Sequence, residues 1–321
     1  MARYLAAKLG SVAFSLLMVL FSAFFLFRLL GGDPVQNLTR GREVSAEQKA
    51  ELRRELGLDR PLYEQFLRYI KETLSGDLGK SFEYDQPVTS LIAERLWPTL
   101  LLTGSAMVLA VTFGLWIGTR AGWRRGSAFD RSQVSVALTL WSAPTFWLGM
   151  IVIMVFAATL GLFPTGGMVS HRVEPGAFNA ALDVAHHLVL PVLTMTAVIY
   201  AQYVLVMRSS ILDELGNDYL VTARAKGLRD DIIRRRHAVP NALLPTITLV
   251  FLHLGGVVGG AITVETVFSW PGLGYLSYEA LRAPDLPLLQ GTFLVFSGAV
   301  VVANTAADII YRFLDPRVRA A

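Results

Sequence analysis

Glu265, Asn304 and Asp308 fall in or beside long apolar runs. A carboxylate inside a membrane is expensive and marks a functional site by default. The chemistry it would support is lining of a substrate path, or proton coupling. The competing reading is a carboxylate at a helix end, satisfied by backbone or a polar neighbour. Asn304 and Asp308 are four residues apart and share one helix face. His171, His186 and His187 form a second cluster. Imidazole is a common metal ligand, but adjacent histidines lack the spacing of a helical zinc pair. They read as interfacial loop residues, with no metal. Gly79-Lys80-Ser81 has the ending of a phosphate-binding loop, but the glycine required five positions before Gly79 is Leu74. No other such loop occurs, and neither a G-x-S-x-G elbow nor an H-E-x-x-H pair is present. The absence of cysteine excludes disulfides and thiol catalysis. These residues point away from an enzyme.

The elements that must position them are set by composition. Of 321 residues, 53% are hydrophobic and 17% are charged. That balance excludes an ordinary soluble or disordered chain. A spanning helix needs about 20 mostly apolar residues. Six stretches qualify: Gly10–Leu30, Trp97–Thr119, part of Ser132–Ser170, Leu188–Met207, Pro240–Val264 and Pro287–Tyr311. Arg28 interrupts the first near its end and is read as snorkelling. This run is too long for a signal-peptide core, and no A-x-A-like cleavage site follows it. Ser132–Ser170 holds 39 residues without Asp, Glu, Lys or Arg. One helix of that length would reach about 58 Å, too far for a bilayer.

Charge parity decides how that stretch folds. Arg120–Arg131 and Arg208–Asn241 carry four and seven Lys/Arg. Both lie on one side only if Ser132–Ser170 holds a single crossing, about Gln133–Leu160, followed by a loop at Gly161–Gly167. The expectation is an all-α polytopic membrane protein with six transmembrane helices and both termini cytoplasmic, as the positive-inside rule requires. The net charge of +4 is then explained without nucleic acid. Pro144, Pro191 and Pro245 are expected to kink or end their helices. Gly255–Gly260 carries overlapping small-xxx-small patterns, which predict close helix packing.

Two polar segments interrupt the apolar pattern. Residues 31–95 form an outer insert with ten basic and twelve acidic residues. Ser45 and Gln48 there have the spacing of a capping box. Leu62, Phe66, Leu67, Ile70 and Leu74 form an apolar stripe. Residues 208–241 form the long inner loop. Asp218, Tyr219, Leu220, Val221, Thr222, Ala223, Arg224, Ala225, Lys226 and Gly227 read as a short helix stopped by glycine. Its small residues suit a helix lying in another protein's groove. A merely solvated loop helix has the same composition.

This loop resembles the "EAA" loop of ABC-importer permeases, in the dipeptide/oligopeptide branch. Thr222-Ala223-Arg224 occupies the EAA position, with Thr where the consensus has Glu. Gly227 matches the family glycine and Leu244-Pro245 the terminal Leu-Pro. Gly32-Asp33-Pro34, L-R-R-E-L-G-L-D-R-P-L, G-D-L-G-K-S, V-E-T-V-F-S-W-P-G-L-G-Y-L, Gln290-Gly291 and L-D-P-R-V-R extend the likeness over nearly the whole chain. The resemblance implies one type I ABC-importer transmembrane domain over residues 1–321. It implies a second homologous permease, two cytoplasmic ATPases that bind ATP and Mg, and an extracytoplasmic substrate-binding protein. No cofactor is then expected in this chain. Asp218, Tyr219, Thr222, Ala223, Arg224, Ala225, Lys226 and Gly227 would couple to an ATPase. Glu265, Asn304 and Asp308 would belong to the translocation path or its gate. Di- or oligopeptides are the expected cargo. Relatives with this architecture carry nickel, glutathione or oligosaccharide, and a proton-coupled carrier acting through Glu265 or Asp308 is the remaining alternative.

Overall fold

The computed structural model describes residues 2–30, 35, 45–55, 57–170 and 176–314. Among these the chain is helical, with an isolated antiparallel bridge between Lys80 and Pro87. Four helices are long and apolar enough to cross a membrane: Lys8–Arg28, Val88–Trp123, Ala177–Leu215 and Leu286–Ile309. A fifth is counted if the bent pair Ala128–Ser142 and Thr145–Thr159 makes one crossing. The expected run Pro240–Val264 folds as helices Val239–Gly260 and Ile262–Val267. Gly32-Asp33-Pro34, His171, Asp315 onward and the packing of Gly255–Gly260 lie outside the described residues.

Three expectations change. The single helix expected over Gln133–Leu160 is broken, with a 104° bend between its halves. Proline has no N–H to continue the ladder and disfavours helical backbone in the residue before it. Ala143 is accordingly extended at φ −75°, ψ 131°, and a new helix starts after Pro144. Pro191 and Pro245 do not end their helices and sit inside continuous ones. The helix expected over Leu188–Met207 runs from Ala177 to Leu215, 39 residues. His186 and His187 are therefore helical residues, and Arg208 is on the helix and not in the inner loop.

Close contacts divide the chain into two units: residues 1–98 with 272–302, and residues 99–271 with 303–321. In the first, the expected capping box forms. The Ser45 N–H donates to Gln48 Oε1 at 3.0 Å, and the Gln48 N–H to Ser45 Oγ at 3.2 Å. The helix Leu62–Leu74 lays Phe66 and Tyr69 against Phe24 of the first helix, with ring centroids 5.3 and 5.6 Å apart. Its Leu62, Leu67 and Leu74 remain exposed. Asp285, just before the last helix, is fully buried. It accepts from the Ser81 hydroxyl at 2.5 Å, the Glu83 N–H at 3.1 Å and the Leu288 N–H at 3.2 Å. Ser81, the last residue of the false phosphate loop, is thus committed to holding the outer insert on a helix start. Tyr84 adds a 2.9 Å bond to Glu279.

In the second unit the long helices meet along glycines. Gly114, Gly118 and Gly122 recur every four residues and face Tyr203, Val204, Met207 and Ile211. A Cβ on Gly118 would lie 2.7 Å from the Val204 carbonyl oxygen. Such spacing lets two helix backbones approach closely. This seam fixes the helix that leads into the inner loop.

Candidate coupling site

The helix Ala177–Leu215 stops at Gly216, and the short helix Asp218–Ala225 follows directly. Its end has the hydrogen bonds of a Schellman motif. The Gly227 N–H donates to Arg224 O at 2.9 Å and the Leu228 N–H to Ala223 O at 3.3 Å. Gly227 has φ +76°, a left-handed conformation that residues with a Cβ rarely adopt. The expected glycine stop is therefore present, with its physical cause.

The helix is two-sided. Leu220 and Ala223 are buried with Met207, Ile211, Ile233, Ala238 and Ala242. Asp218, Tyr219, Thr222, Arg224, Ala225, Lys226 and Gly227 are exposed. So is Val221, at 57% exposure, and so is Leu228. Ala223 is thus a packing residue on the inward face. Val221 and Leu228 form the apolar part of the outward face, which the motif comparison did not single out.

A polar latch holds the helix. The Tyr219 hydroxyl donates to the Glu214 carboxylate and accepts from Asn241 Nδ2 at 3.1 Å. Asn217 Nδ2 donates to the same Glu214 oxygen at 2.9 Å, and Asn241 Nδ2 also donates to His237 O at 2.9 Å. Glu214 ends one long helix and Asn241 begins the next, so Tyr219 joins both to the short helix. Partial burial and the Glu214 carboxylate raise the Tyr219 pKa, keeping its donor proton in place. The Trp123 indole N–H donates to Asp230 at 2.7 Å, tying the loop to the end of the glycine-seamed helix. Nearby, Arg208 donates to the two oxygens of buried Asp130 at 2.5 and 3.0 Å.

A short exposed helix with no catalytic group, held by its flanks, is suited to docking. Residues 110–320 match the family described as binding-protein-dependent transport system inner membrane component, and residues 1–103 match its N-terminal companion. The chain belongs to this family. It is the membrane permease subunit of a binding-protein-dependent importer, a transport component and not an enzyme. The dipeptide transport system permease protein DppB of Escherichia coli K12 is 36% identical, with 99% of each chain covered. The di/tripeptide permease DppB of Pseudomonas aeruginosa is also 36% identical over 99% of each. The glutathione permease GsiC of Salmonella paratyphi A is 38% identical over 99% of each. The fold matches a chain of the inward-facing MetNI methionine ABC transporter, with TM-score 0.54 and 18% identity over 70% of this chain and 96% of that one.

The remaining sequence-flagged residues of the permease separate by burial. Glu265 is fully enclosed and accepts from the Thr99 hydroxyl at 2.7 Å. Asn304 and Asp308 are exposed on the last helix. His186 Nε2 meets Leu162 O at 2.9 Å, and His187 Nδ1 meets Asp183 O at 2.9 Å. Both are used in holding the helix to its own turn or to the preceding loop. Among the described residues no group of three or more His, Cys, Asp or Glu is placed to hold a metal.

Proposed function

We propose that this permease forms half of a translocation pathway for di- and oligopeptides, the other half being a second, homologous permease. Two cytoplasmic ATPases bind ATP and Mg and drive it. An extracytoplasmic binding protein delivers cargo to the side bearing residues 31–95. The chain crosses six times with both termini cytoplasmic, and it holds no cofactor of its own. The observation that carries the peptide reading is the full-length likeness to dipeptide and di/tripeptide permeases. Glutathione, itself a tripeptide, is the second reading, favoured by the likeness to the glutathione permease.

The docking surface on this reading is the outward face of the helix Asp218–Ala225, where Asp218, Thr222, Arg224, Ala225 and Lys226 flank Val221. Leu220 and Ala223 support that face from within. Closure of the ATPases moves the helix, and the Tyr219 latch passes the movement to the two long helices. Asn304 and Asp308 are assigned to the path. Glu265, locked to Thr99, is assigned to its gate.

The test is reconstitution with the partner permease, ATPases and binding protein in proteoliposomes. ATP-dependent uptake of a labelled dipeptide, with weak competition by glutathione, is the expected result. Stronger uptake of glutathione selects the second reading. Uptake without the ATPases, abolished by a protonophore, overturns the importer mechanism.

A further inference from the structure

Three helices converge on Arg208, close to the segment that leads into the helix Asp218–Ala225. Arg208 lies seven residues before Leu215, where its own long helix ends, or about 10 Å along the axis. Gly122 of the preceding long helix packs on it: a Cβ there would be 2.9 Å from the Arg208 carbonyl oxygen. The Arg208 side chain reaches the helix Ala128–Ser142, the first half of the bent span.

The acceptor is Asp130, in the first turn of that half and 2% exposed. Its two oxygens take Arg208 Nε at 2.5 Å and Nη2 at 3.0 Å. The second oxygen also accepts from the Gly126 N–H at 2.9 Å, and the Asp130 N–H donates to Ser127 Oγ at 3.1 Å. The carboxylate is thus tied to the turn and the cap that start its own helix. A force on Arg208 acts on that whole helix start, and not on one rotatable side chain.

The rest of the contact between these two helices is smooth. Ala137 is buried with Tyr200, Ala201 and Val204, and Leu140 packs beside them. Among the described residues no other hydrogen bond or ion pair joins the two helices. Apolar contacts of this kind hold a distance but allow sliding. A bidentate guanidinium–carboxylate pair fixes direction as well. An ion pair taken out of water gains little net stability over well-packed apolar side chains. Stability is therefore a weak reason for the pair, and position is the stronger one.

We propose that Arg208 and Asp130 are positioning residues for transport, and that their pair makes the bent span Ala128–Thr159 follow the docking helix. This role rests on the docking of Asp218–Ala225 on an ATPase. Movement of that helix passes through the last two turns of Ala177–Leu215 to Arg208. The pair hands it to the start of Ala128–Ser142, a rod of about 22 Å. The rod ends at Ala143 and Pro144, where extended backbone interrupts the helix and the 104° bend can change. The half beyond meets Val267 and Phe268 through Gly149, two and three residues from Glu265. The angle at Pro144 therefore sets what the gate residue packs against.

The test uses the assembled importer in proteoliposomes. Ser135→Cys and Ala158→Cys put spin labels at exposed positions on the two halves of the span, in a chain with no cysteine of its own. The partner subunits are made cysteine-free. Double electron–electron resonance reads the label distance with and without ATP. ATP should shift the distance in the labelled chain. The Asp130→Leu, Arg208→Met double variant removes both charges. It should keep its ATPases and its unfolding midpoint. Its ATP-dependent shift should vanish, and uptake per ATP hydrolysed should fall about tenfold. Arg208→Lys keeps the charge without the fork and should fall in between. An undiminished shift with an unchanged uptake ratio in the double variant overturns the proposal. So does a distance that ignores ATP in the chain with the pair intact while uptake runs. If the double variant fails to fold, Arg208→Lys decides, and a full shift and ratio there overturn the proposal. A chain with the pair intact that retains no ATPase in a pull-down fails the docking assignment instead, so the two failures are told apart.

Discussion

Asp285 accepts three donors, two of them from the segment around Ser81, with no exposure to solvent, whereas Glu214 holds the helix Asp218–Ala225 with two donors in reach of water. Each is a carboxylate tying a polar segment to the end of a long helix, and each has a tyrosine nearby or on it. Their surroundings differ. A buried carboxylate that has all its partners cannot exchange them for water, so its segment is fixed. A half-exposed one trades a bond for a water at a net cost near 1 kcal/mol. The outer insert is therefore built as part of the scaffold. The helix Asp218–Ala225 is instead held by bonds that water can replace.

The largest effect should come from Asp285→Ala. It strands the Ser81 hydroxyl and the Glu83 and Leu288 N–H groups, at a cost of about 3 kcal/mol or more. Thermal unfolding of the assembled importer should drop sharply, with protease cutting within residues 45–87. Glu214→Ala should cost about 1 kcal/mol or less. Similar shifts in the two variants would remove the distinction between fixed and movable ties.

Next comes the base on which the movable tie rests. Gly118→Ala places a Cβ 2.7 Å from the Val204 carbonyl oxygen and 2.8 Å from Met207 Cβ. Overpacking of this kind costs about 1–3 kcal/mol. Gly104→Ala on the same helix meets nothing within 4 Å. It should be neutral or slightly stabilising, since alanine is the better helix former. Unfolding midpoints of the two variants check this, and equal midpoints would mean the seam is loose.

Tyr219→Phe removes the bonds to Glu214 and Asn241 while keeping the ring. A loss of about 1 kcal/mol in holding the helix corresponds to roughly a fivefold change in its position equilibrium. Uptake per ATP hydrolysed should fall by about that factor, with the unfolding midpoint nearly unmoved. A fall in stability with an unchanged transport ratio would make Tyr219 a packing residue. Val221→Glu should weaken ATPase retention in a pull-down, because it charges the outward face. Loss of fold in that variant would show that the face is not free.

Much of this was legible in the sequence. Charge-free runs marked the four long apolar helices because a charge in hydrocarbon is expensive. The Ser45–Gln48 box and the Gly227 stop were legible because both are local, set by residues within a turn. The break at Pro144 was flagged, but a long apolar run hides a bend, since both halves stay apolar. The Gly114, Gly118, Gly122 seam had a readable spacing that the denser glycines at Gly255–Gly260 overshadowed. Two features were out of reach. Ser81 and Asp285 are 204 residues apart, and only the tertiary fold joins them. Ala223 lies on a helix of eight residues, too short for periodicity to say which face is buried.

The smallest expected effect sits on the fixed side and shows how enclosed it is. Tyr84 donates to Glu279, and burial together with that carboxylate pushes its pKa up to about 12. Ionising the phenol removes the donor and sets two negative charges against each other. A pKa raised on folding means that the folded state holds the proton more tightly. The stabilisation is complete below the ordinary tyrosine value near 10 and is lost as pH rises through about 12. Ultraviolet titration of the wild type minus Tyr84→Phe isolates this one phenol among the ten tyrosines. Its transition should appear near 12 and move down in Glu279→Gln, which keeps a hydrogen-bonding side chain but removes the charge. A difference spectrum rising near 10 would show Tyr84 open to water. The outer tie would then be no more enclosed than the inner one, and only Asp285 would separate the two regions.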